Sequence, residues 1–168
     1  SKGQITDFFW ATDKRLVFTV ARENSRNTEI YNVGQLVAAN IDGKRTKLIA
    51  GFGSAPDSRQ GVRNRDRTNP DRPAIIVHRL PKDSNKILVS FFDNAGFNEL
   101  AELDINNGKV SYVTTSPVIY PNWIFNNEGK LMGVSSSTLE NNSEIFLFKP
   151  NLPQAVSYTH LTLPTMEL

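Results

Sequence analysis

The chain has 168 residues, 39% hydrophobic and 21% charged, and this balance predicts a folded globular chain rather than a disordered one. A formal net charge of +2 is too small to indicate a nucleic-acid partner. Cysteine is absent, which excludes disulfides, thiolate metal sites and a cysteine nucleophile, and fits the cytoplasm and the periplasm equally. No apolar run approaches the roughly 20 residues that a bilayer-spanning helix needs, so no membrane span is expected.

Short β-type segments, closed by turn residues, follow one another along the chain. Residues 15–20 and 86–92 are rich in β-branched and aromatic side chains and have the length of strands. Two further apolar runs end in Asp-Gly at 42–43 and in Asn-Gly at 107–108. Such pairs favour tight two-residue hairpins because they accept positive φ. No window has helical periodicity, so the sequence predicts an all-β chain.

The segments also repeat as a unit. One pattern recurs three times, starting at Trp10, Leu80 and Trp123. It consists of an aromatic or apolar residue, a polar turn, a basic residue followed by an apolar strand, and then a second strand. Four-stranded repeats with a period of about 40 to 50 residues are typical of propeller blades. We therefore predict a partial β-propeller of about three antiparallel four-stranded blades within residues 1–155. The predicted blades are residues 5–50, 73–116 and 119–150, with an insertion loop at 52–72.

The segment 86–92 is apolar on both of its faces. Ile87, Val89 and Phe91 lie on one face, and Leu88 and Phe92 on the other. Such a strand must be covered on both sides, as it is when blades stack face to face. A β-sandwich remains the alternative fold. The equivalent repeat positions of the two tryptophans, 10 and 123, predict that both pack between blades.

Residues 156–168 differ in character from the rest of the chain. From Val156 to Thr165 the string resembles the conceptual translation of a sequencing adapter, as found at the ends of proteins predicted from assembled environmental DNA. We expect this tail to be non-native and to have no evolved structure. The alternative is a genuine short strand containing Tyr158. Together with the missing initiator methionine, the tail predicts a chain truncated at both ends.

Five motifs, in order, carry a resemblance to a known family. The first blade carries two of them, the Trp10 to Phe18 strand with its acidic turn and the strand 36–43 ending in Asp-Gly. The others are the start of the second blade at 74–89, the Gly-Lys hairpin at 103–109 and the start of the third blade at 123–130. Over residues 5–149 they resemble the propeller of bacterial prolyl oligopeptidase-family serine peptidases. In that family a seven- or eight-bladed propeller caps an α/β-hydrolase domain and restricts which peptides reach its serine, aspartate and histidine.

The resemblance implies a non-catalytic, substrate-gating fragment of a serine peptidase. The chain has no Gly-x-Ser-x-Gly nucleophile elbow, and the nearest string, residues 133–137, lacks the second glycine. No catalytic residue is therefore carried over, and the peptide substrate would meet a catalytic domain missing here. The alternative is a stand-alone protein-binding propeller of the Tol-system type. A propeller enzyme with clustered acidic or histidine residues in its channel is a third class.

One stretch is a candidate contact for a substrate or partner. Arg59, Arg63, Arg65 and Arg67 alternate along residues 58–67, and guanidinium groups bind carboxylates in bidentate fashion. In the alternative interpretation, the arginines pair with neighbouring aspartates and stay solvated. No aromatic residues are interleaved, which argues against single-stranded nucleic acid.

The remaining polar residues predict no reactive site. His78 lies in a predicted strand without a second histidine or an acidic neighbour, so we interpret it as structural and predict neither a metal nor a cofactor. Asp7 is assigned to a strand end or turn. Because an open propeller exposes blade edges and faces, we expect self-association through surfaces that include Phe18, Ile145 and Leu147.

Overall fold

The computed structural model describes residues 3–23, 30–51, 72–80, 85–92, 97–137, 143–148 and 155–158. These residues form strands and their connections, without any helix. The strands are β1 (Gly3–Thr12), β2 (Arg15–Glu23), β3 (Ile30–Asn40), β4 (Lys47–Ala50), β5 (Ala74–His78), β6 (Lys86–Phe92), β7 (Phe97–Asp104), β8 (Val110–Ile119), β9 (Asn122–Phe125), β10 (Leu131–Ser137), β11 (Ser143–Phe148) and β12 (Ala155–Tyr158). The predicted all-β class is confirmed.

The strands are arranged in three four-stranded sheets. Sheet 1 contains β1 to β4, sheet 2 contains β5 to β8 and sheet 3 contains β9 to β12, each in sequence order. Every pairing is antiparallel, so each sheet is a simple meander of consecutive strands. Short local connections are sufficient for this topology, and antiparallel neighbours need no crossover.

The predicted Asp-Gly and Asn-Gly turns connect strands, but within longer loops than two residues. Gly43 has a φ of 73° and its N–H donates to the Asn40 carbonyl at 2.9 Å, between β3 and β4. Gly108 has a φ of 75° and donates to the Asp104 carbonyl at 2.8 Å, between β7 and β8. The prediction of two-residue hairpins is therefore wrong in loop length, because side-chain caps extend the turns. The Asp104 carboxylate, for example, accepts from the Asn106 N–H at 2.7 Å.

Sheet 1 and sheet 2 share one hydrophobic core. Val17 and Leu36 of sheet 1 are fully buried together with Val89, Phe91 and Leu103 of sheet 2. Burying each such side chain contributes roughly 1.5–3 kcal/mol relative to leaving it exposed. This core therefore joins two sheets that are not hydrogen-bonded to each other.

Sheet 2 and sheet 3 share a second core on the opposite face of sheet 2. Leu88 and Leu100 pack there with Trp123 and Val134. The indole Nε1 of Trp123 donates to the Oγ of Ser90, which is fully buried, at 3.2 Å. Alternate residues of β6 thus enter alternate cores, and the prediction that this strand is covered on both faces is confirmed.

Trp10 corrects the prediction that both tryptophans pack between sheets. Trp123 is 8% exposed, but Trp10 is 46% exposed. In β1 the buried residue Phe9 points toward sheet 2, so its neighbour Trp10 lies on the opposite face. No described sheet lies against that face, and the indole stays open to solvent for this reason.

The last strand falls in the segment that the sequence marked as foreign. β12 pairs antiparallel with β11, with Ala155 opposite Phe148 and Tyr158 opposite Ile145. The backbone arrangement matches the short-strand alternative as far as residue 158. Residues 159–168 lie outside the described part of the chain, and the foreign origin of the string stays a prediction.

Candidate ligand-binding cleft

A cleft lies where the first strands of sheet 1 and sheet 2 meet. It has a volume of about 380 Å³ and is lined by Asp7 of β1 and by residues 76–79 at the end of β5. These residues combine the apolar side chain of Ile76, which packs against the core between sheet 1 and sheet 2, with the charged or titratable groups of Asp7, His78 and Arg79. Apolar walls with a few convergent polar groups are characteristic of ligand sites.

Arg79 is held at the cleft by an aromatic ring. Its guanidinium carbon lies 4.4 Å from the ring centroid of Phe9, close enough for a cation–π contact. Its Nη2 is 3.8 Å from the Asp7 carboxylate, and the Arg79 side chain is 57% exposed. The contact with Phe9 holds the guanidinium over the ring, while more than half of the Arg79 side chain still faces solvent.

Asp7 supplies the negative charge of the cleft. It lies within β1, beside a register shift between Ile5 and Asp7, so its assignment to a strand end or turn is wrong. Its Oδ1 accepts from the Phe8 N–H at 2.8 Å, which orients the carboxylate locally. With the Asp7 side chain 68% exposed, its ion pair with Arg79 is weakened by solvent and adds little stability.

His78 connects sheet 2 to sheet 3. Its ring lies 4.8 Å from the ring of Phe125, centroid to centroid, and the two planes are inclined at 35°. The histidine is half-buried in this contact, which is consistent with the structural role inferred from the sequence. Among the described residues, no three histidine, aspartate or glutamate side chains are grouped closely enough to hold a metal ion.

A second arginine, at the opposite end of β5 from Arg79, is paired within sheet 2. The Nη2 of Arg72 donates to the Glu99 carboxylate at 2.5 Å and to the Tyr112 hydroxyl at 2.9 Å. Its guanidinium also stands 4.9 Å from the Phe91 centroid. Burial alone would lower the pKa of Arg72, but the hydrogen bonds to Glu99 and Tyr112 outweigh it and raise the pKa. Arg72 therefore stabilises sheet 2 and offers little to a ligand.

A third arginine is buried between sheet 1 and sheet 2. Arg15 is 5% exposed. Its Nε donates to the Ile105 carbonyl at 2.9 Å and its Nη1 to the Asn40 side chain at 2.7 Å, while both terminal nitrogens reach the Arg45 carbonyl at 3.3 Å. Desolvation first, and then the charge of Arg45, lower the pKa of Arg15, against an opposing effect of Asp104. This arginine is a structural clamp.

The four arginines predicted to contact a substrate, Arg59, Arg63, Arg65 and Arg67, lie outside the described residues. The cleft arginine was missed because the sequence shows Arg79 only as a basic residue after a strand. Its partners, Phe9 and Asp7, are about 70 residues away along the chain, and no local pattern pairs them.

No family model, curated protein or solved structure matches the chain. Within the part of the chain that the structure describes, no helix is long and apolar enough to cross a membrane.

Proposed function

We propose that the chain is part of the substrate-gating β-propeller of a serine peptidase of the prolyl oligopeptidase kind. One observation carries the fold: sheet 2 is covered on both faces, each time by another four-stranded meander. In a two-layer sandwich each sheet has a single core face. Successive blades of a propeller instead stack face to face around a central channel. The three sheets are then three consecutive blades.

The cleft supplies the gating contact in this proposal. Strands β1 and β5 are the first strands of their blades and would line the channel that peptides enter. Arg79 presents an exposed guanidinium beside the apolar Ile76, a combination suited to the carboxylate end of a short peptide. The chain contributes selection and orientation, and the reacting serine belongs to a separate hydrolase domain.

A binding experiment tests this role of the cleft. A short proline-containing peptide with a free C-terminal carboxylate is titrated into the chain by calorimetry, beside the same peptide with an amidated C-terminus. We expect Arg79→Ala to weaken binding of the free-acid peptide about tenfold or more, since a charge-assisted hydrogen bond is worth roughly 1.5–3 kcal/mol. The amidated peptide should bind weakly to both forms.

Lys44→Ala is the matched control. This substitution also removes one positive charge, but the Lys44 side chain is 83% exposed in the β3–β4 hairpin, away from the cleft. If Arg79→Ala and Lys44→Ala reduce the affinity equally, the effect is one of net charge and the assignment of Arg79 is wrong.

Activity assays test whether the chain by itself hydrolyses peptides or esters. The chain alone should turn over chromogenic peptides and short esters no faster than buffer, because it has no nucleophile elbow. Turnover that a serine-directed inhibitor abolishes would contradict the proposal.

A stand-alone protein-docking propeller of the Tol-system type is the second candidate, and Tyr120 is the observation that favours it. This tyrosine connects sheet 2 to sheet 3 with a φ of 52° and is 76% exposed. An exposed aromatic residue held in a rarely populated backbone conformation is a common feature of recognition sites. Under this alternative the free-acid and amidated peptides bind equally poorly, and the full-length gene product is not labelled by a fluorophosphonate.

A further inference from the structure

Asp7 and Arg79 reach the cleft from two different sheets. On β1, Asp7 is two residues before the buried Phe9, so both side chains lie on the face of the strand toward sheet 2. Arg79 lies directly after β5 and three residues beyond Ile76. In a regular strand that spacing places two side chains on opposite faces.

A bulge in β5 brings Arg79 to the side of sheet 1. The register with β6 shifts between Ile76 and His78, and such an irregularity re-aims the side chains that follow it. Ile76 packs against the core shared with sheet 1, and Arg79 contacts the ring of Phe9 in the same core. Asp7 and Arg79 are therefore neighbours because of the strand period on β1 and the bulge in β5.

The two charged groups lie side by side without a direct hydrogen bond. The distance of 3.8 Å between Arg79 Nη2 and Asp7 Oδ2 exceeds the roughly 3.2 Å limit for an N–H···O bond. Oδ1 of Asp7 accepts from the Phe8 N–H, whereas Oδ2 has no hydrogen-bond donor among the described residues. In the same part of the chain, Nη2 of Arg79 has no acceptor at bonding distance. The cleft therefore offers one donor and one acceptor next to each other.

A donor and an acceptor at this spacing match the last residue of a peptide. The carboxylate of that residue accepts hydrogen bonds, and its backbone N–H donates one. Standard bond lengths and angles place the amide nitrogen about 3 Å from the nearer carboxylate oxygen. Both groups can therefore meet a guanidinium and a carboxylate that are 3.8 Å apart. A proline in the last position cannot make both bonds, because its nitrogen carries no hydrogen.

We propose that Asp7 is a specificity-determining residue of the cleft. Its carboxylate accepts a hydrogen bond from the backbone N–H of the ligand's last residue, while Arg79 binds the carboxylate of the same residue. The substrate class is then peptides with a free C-terminal carboxylate whose last residue is not proline. The inference rests on the proposed function, because it takes Arg79 as the carboxylate site, and it adds a preference that Arg79 alone does not give.

Asp7 also acts on a ligand through its charge, since one carboxylate repels another. If repulsion were its whole effect, removing Asp7 would tighten the binding of every free-acid peptide alike. With the side chain 68% exposed, water and salt screen this repulsion, whereas a hydrogen bond acts at contact distance. Only the hydrogen bond distinguishes a peptide with a terminal N–H from one without it.

Calorimetry with three N-acetylated peptides tests the role of Asp7. The first is acetyl-alanyl-prolyl-leucine, and in the second N-methylleucine replaces leucine, which removes only the N–H. The third, acetyl-alanyl-leucyl-proline, has the composition and charge of the first. Acetylation removes the terminal ammonium, so an attraction of Asp7 for a cation does not contribute. We expect the second and third peptides to bind the wild-type chain roughly fivefold more weakly than the first.

Asp7→Ala should abolish this preference, so that the three peptides bind alike. Asp42→Ala is the matched control, because it also removes one carboxylate, and the Asp42 side chain is 52% exposed in the β3–β4 hairpin, away from the cleft. It should retain the preference. Equal binding of the leucine and N-methylleucine peptides to the wild-type chain would overturn the inference. A preference that survives Asp7→Ala, or that Asp42→Ala also removes, would overturn it as well.

Nuclear magnetic resonance of the bound peptide gives a second readout that does not depend on affinity. With an isotopic label at the leucine nitrogen of the first peptide, its amide proton should move downfield on binding to the wild-type chain, because a hydrogen bond to a carboxylate deshields it. The shift should be smaller with Asp7→Ala. The alanine amide proton is the internal control. A leucine amide proton that shifts equally with both chains would contradict the hydrogen bond to Asp7.

Arg79→Ala separates a failure of this inference from a failure of the proposed function. If Arg79→Ala weakens binding of the free acids but the wild-type chain does not distinguish leucine from N-methylleucine, the carboxylate site stands and the role of Asp7 is wrong. If Arg79→Ala leaves the binding of all three peptides unchanged, the carboxylate site is wrong and the inference fails with it.

Discussion

At the scale of single residues, three arginines have three different roles that depend on their surroundings. Arg15 is buried and satisfied by carbonyl and amide oxygens, Arg72 is paired with Glu99, and Arg79 stays half open above Phe9. A guanidinium has five N–H donors, so a buried one requires several acceptors and a surface one requires few. Of these three, only Arg79 combines a contact with an aromatic ring with a side chain that is more than half exposed, and this makes it the one suited to a ligand.

Replacing Arg15 tests the clamp between sheet 1 and sheet 2. We expect Arg15→Ala to lower the free energy of unfolding by about 2–4 kcal/mol, because the Ile105 carbonyl and the Asn40 side chain lose a buried donor. Urea titration followed by circular dichroism gives the value. Arg22→Ala removes an exposed arginine from the same strand and should stay within about 0.5 kcal/mol. Equal losses would mean that Arg15 is not a clamp.

At the scale of elements, the close approach of β3 to the start of sheet 2 connects the first two sheets. Gly34 has a φ of 67°, and a Cβ added there would lie 2.5 Å from the Pro73 Cβ and 2.9 Å from the Ala74 nitrogen. The obstacle is largely backbone, which cannot rotate away as a long side chain can. A glycine at this point therefore sets how closely the two sheets pack.

Two glycine substitutions separate this packing from backbone strain. Gly43 has a similar φ of 73°, but an added Cβ would meet nothing within 4 Å. Gly43→Ala should cost roughly 1–2 kcal/mol from the positive φ alone. Gly34→Ala should cost at least about 1 kcal/mol more, since overpacking adds to the strain. Denaturant midpoints compare the two variants, and equal losses of stability would contradict close packing of β3 against the start of sheet 2.

At the scale of the whole molecule, stability depends on the contacts between sheets, because each four-stranded meander has apolar side chains that it cannot bury alone. Sheet 2 buries both faces, whereas sheet 1 leaves Phe8 and Trp10 exposed on its outer face. Among the described residues, sheet 2 is therefore covered on both faces and sheet 1 on one face only.

Truncation tests the predicted foreign tail at this scale. A string of foreign origin has not been selected to pack, so deleting residues 156–168 should change the free energy of unfolding by less than about 1 kcal/mol, although residues 156–158 pair with β11. Deleting only residues 159–168 is the control and should stay within about 0.5 kcal/mol. If the longer deletion alone costs more than about 1 kcal/mol, β12 is a genuine strand of sheet 3.

Local patterns in the sequence were sufficient for the all-β class, for the positions of the Asp42–Gly43 and Asn107–Gly108 turns and for the two apolar faces of β6. These features depend on backbone preferences and on the two-residue period of a strand, which neighbours in sequence reveal. Loop lengths were predicted less well, because side chains such as Asp104 cap the turns through their own hydrogen bonds.

The tertiary structure alone decided which of two equivalent tryptophans is buried and which arginine is open to a ligand. Trp10 and Trp123 share a repeat position, and only the presence of a neighbouring sheet distinguishes them. Arg79 has its role because Phe9 and Asp7 lie beside it in space, about 70 residues away in sequence. Burial and charge pairing depend on such long-range contacts, and these exist only once the sheets have stacked.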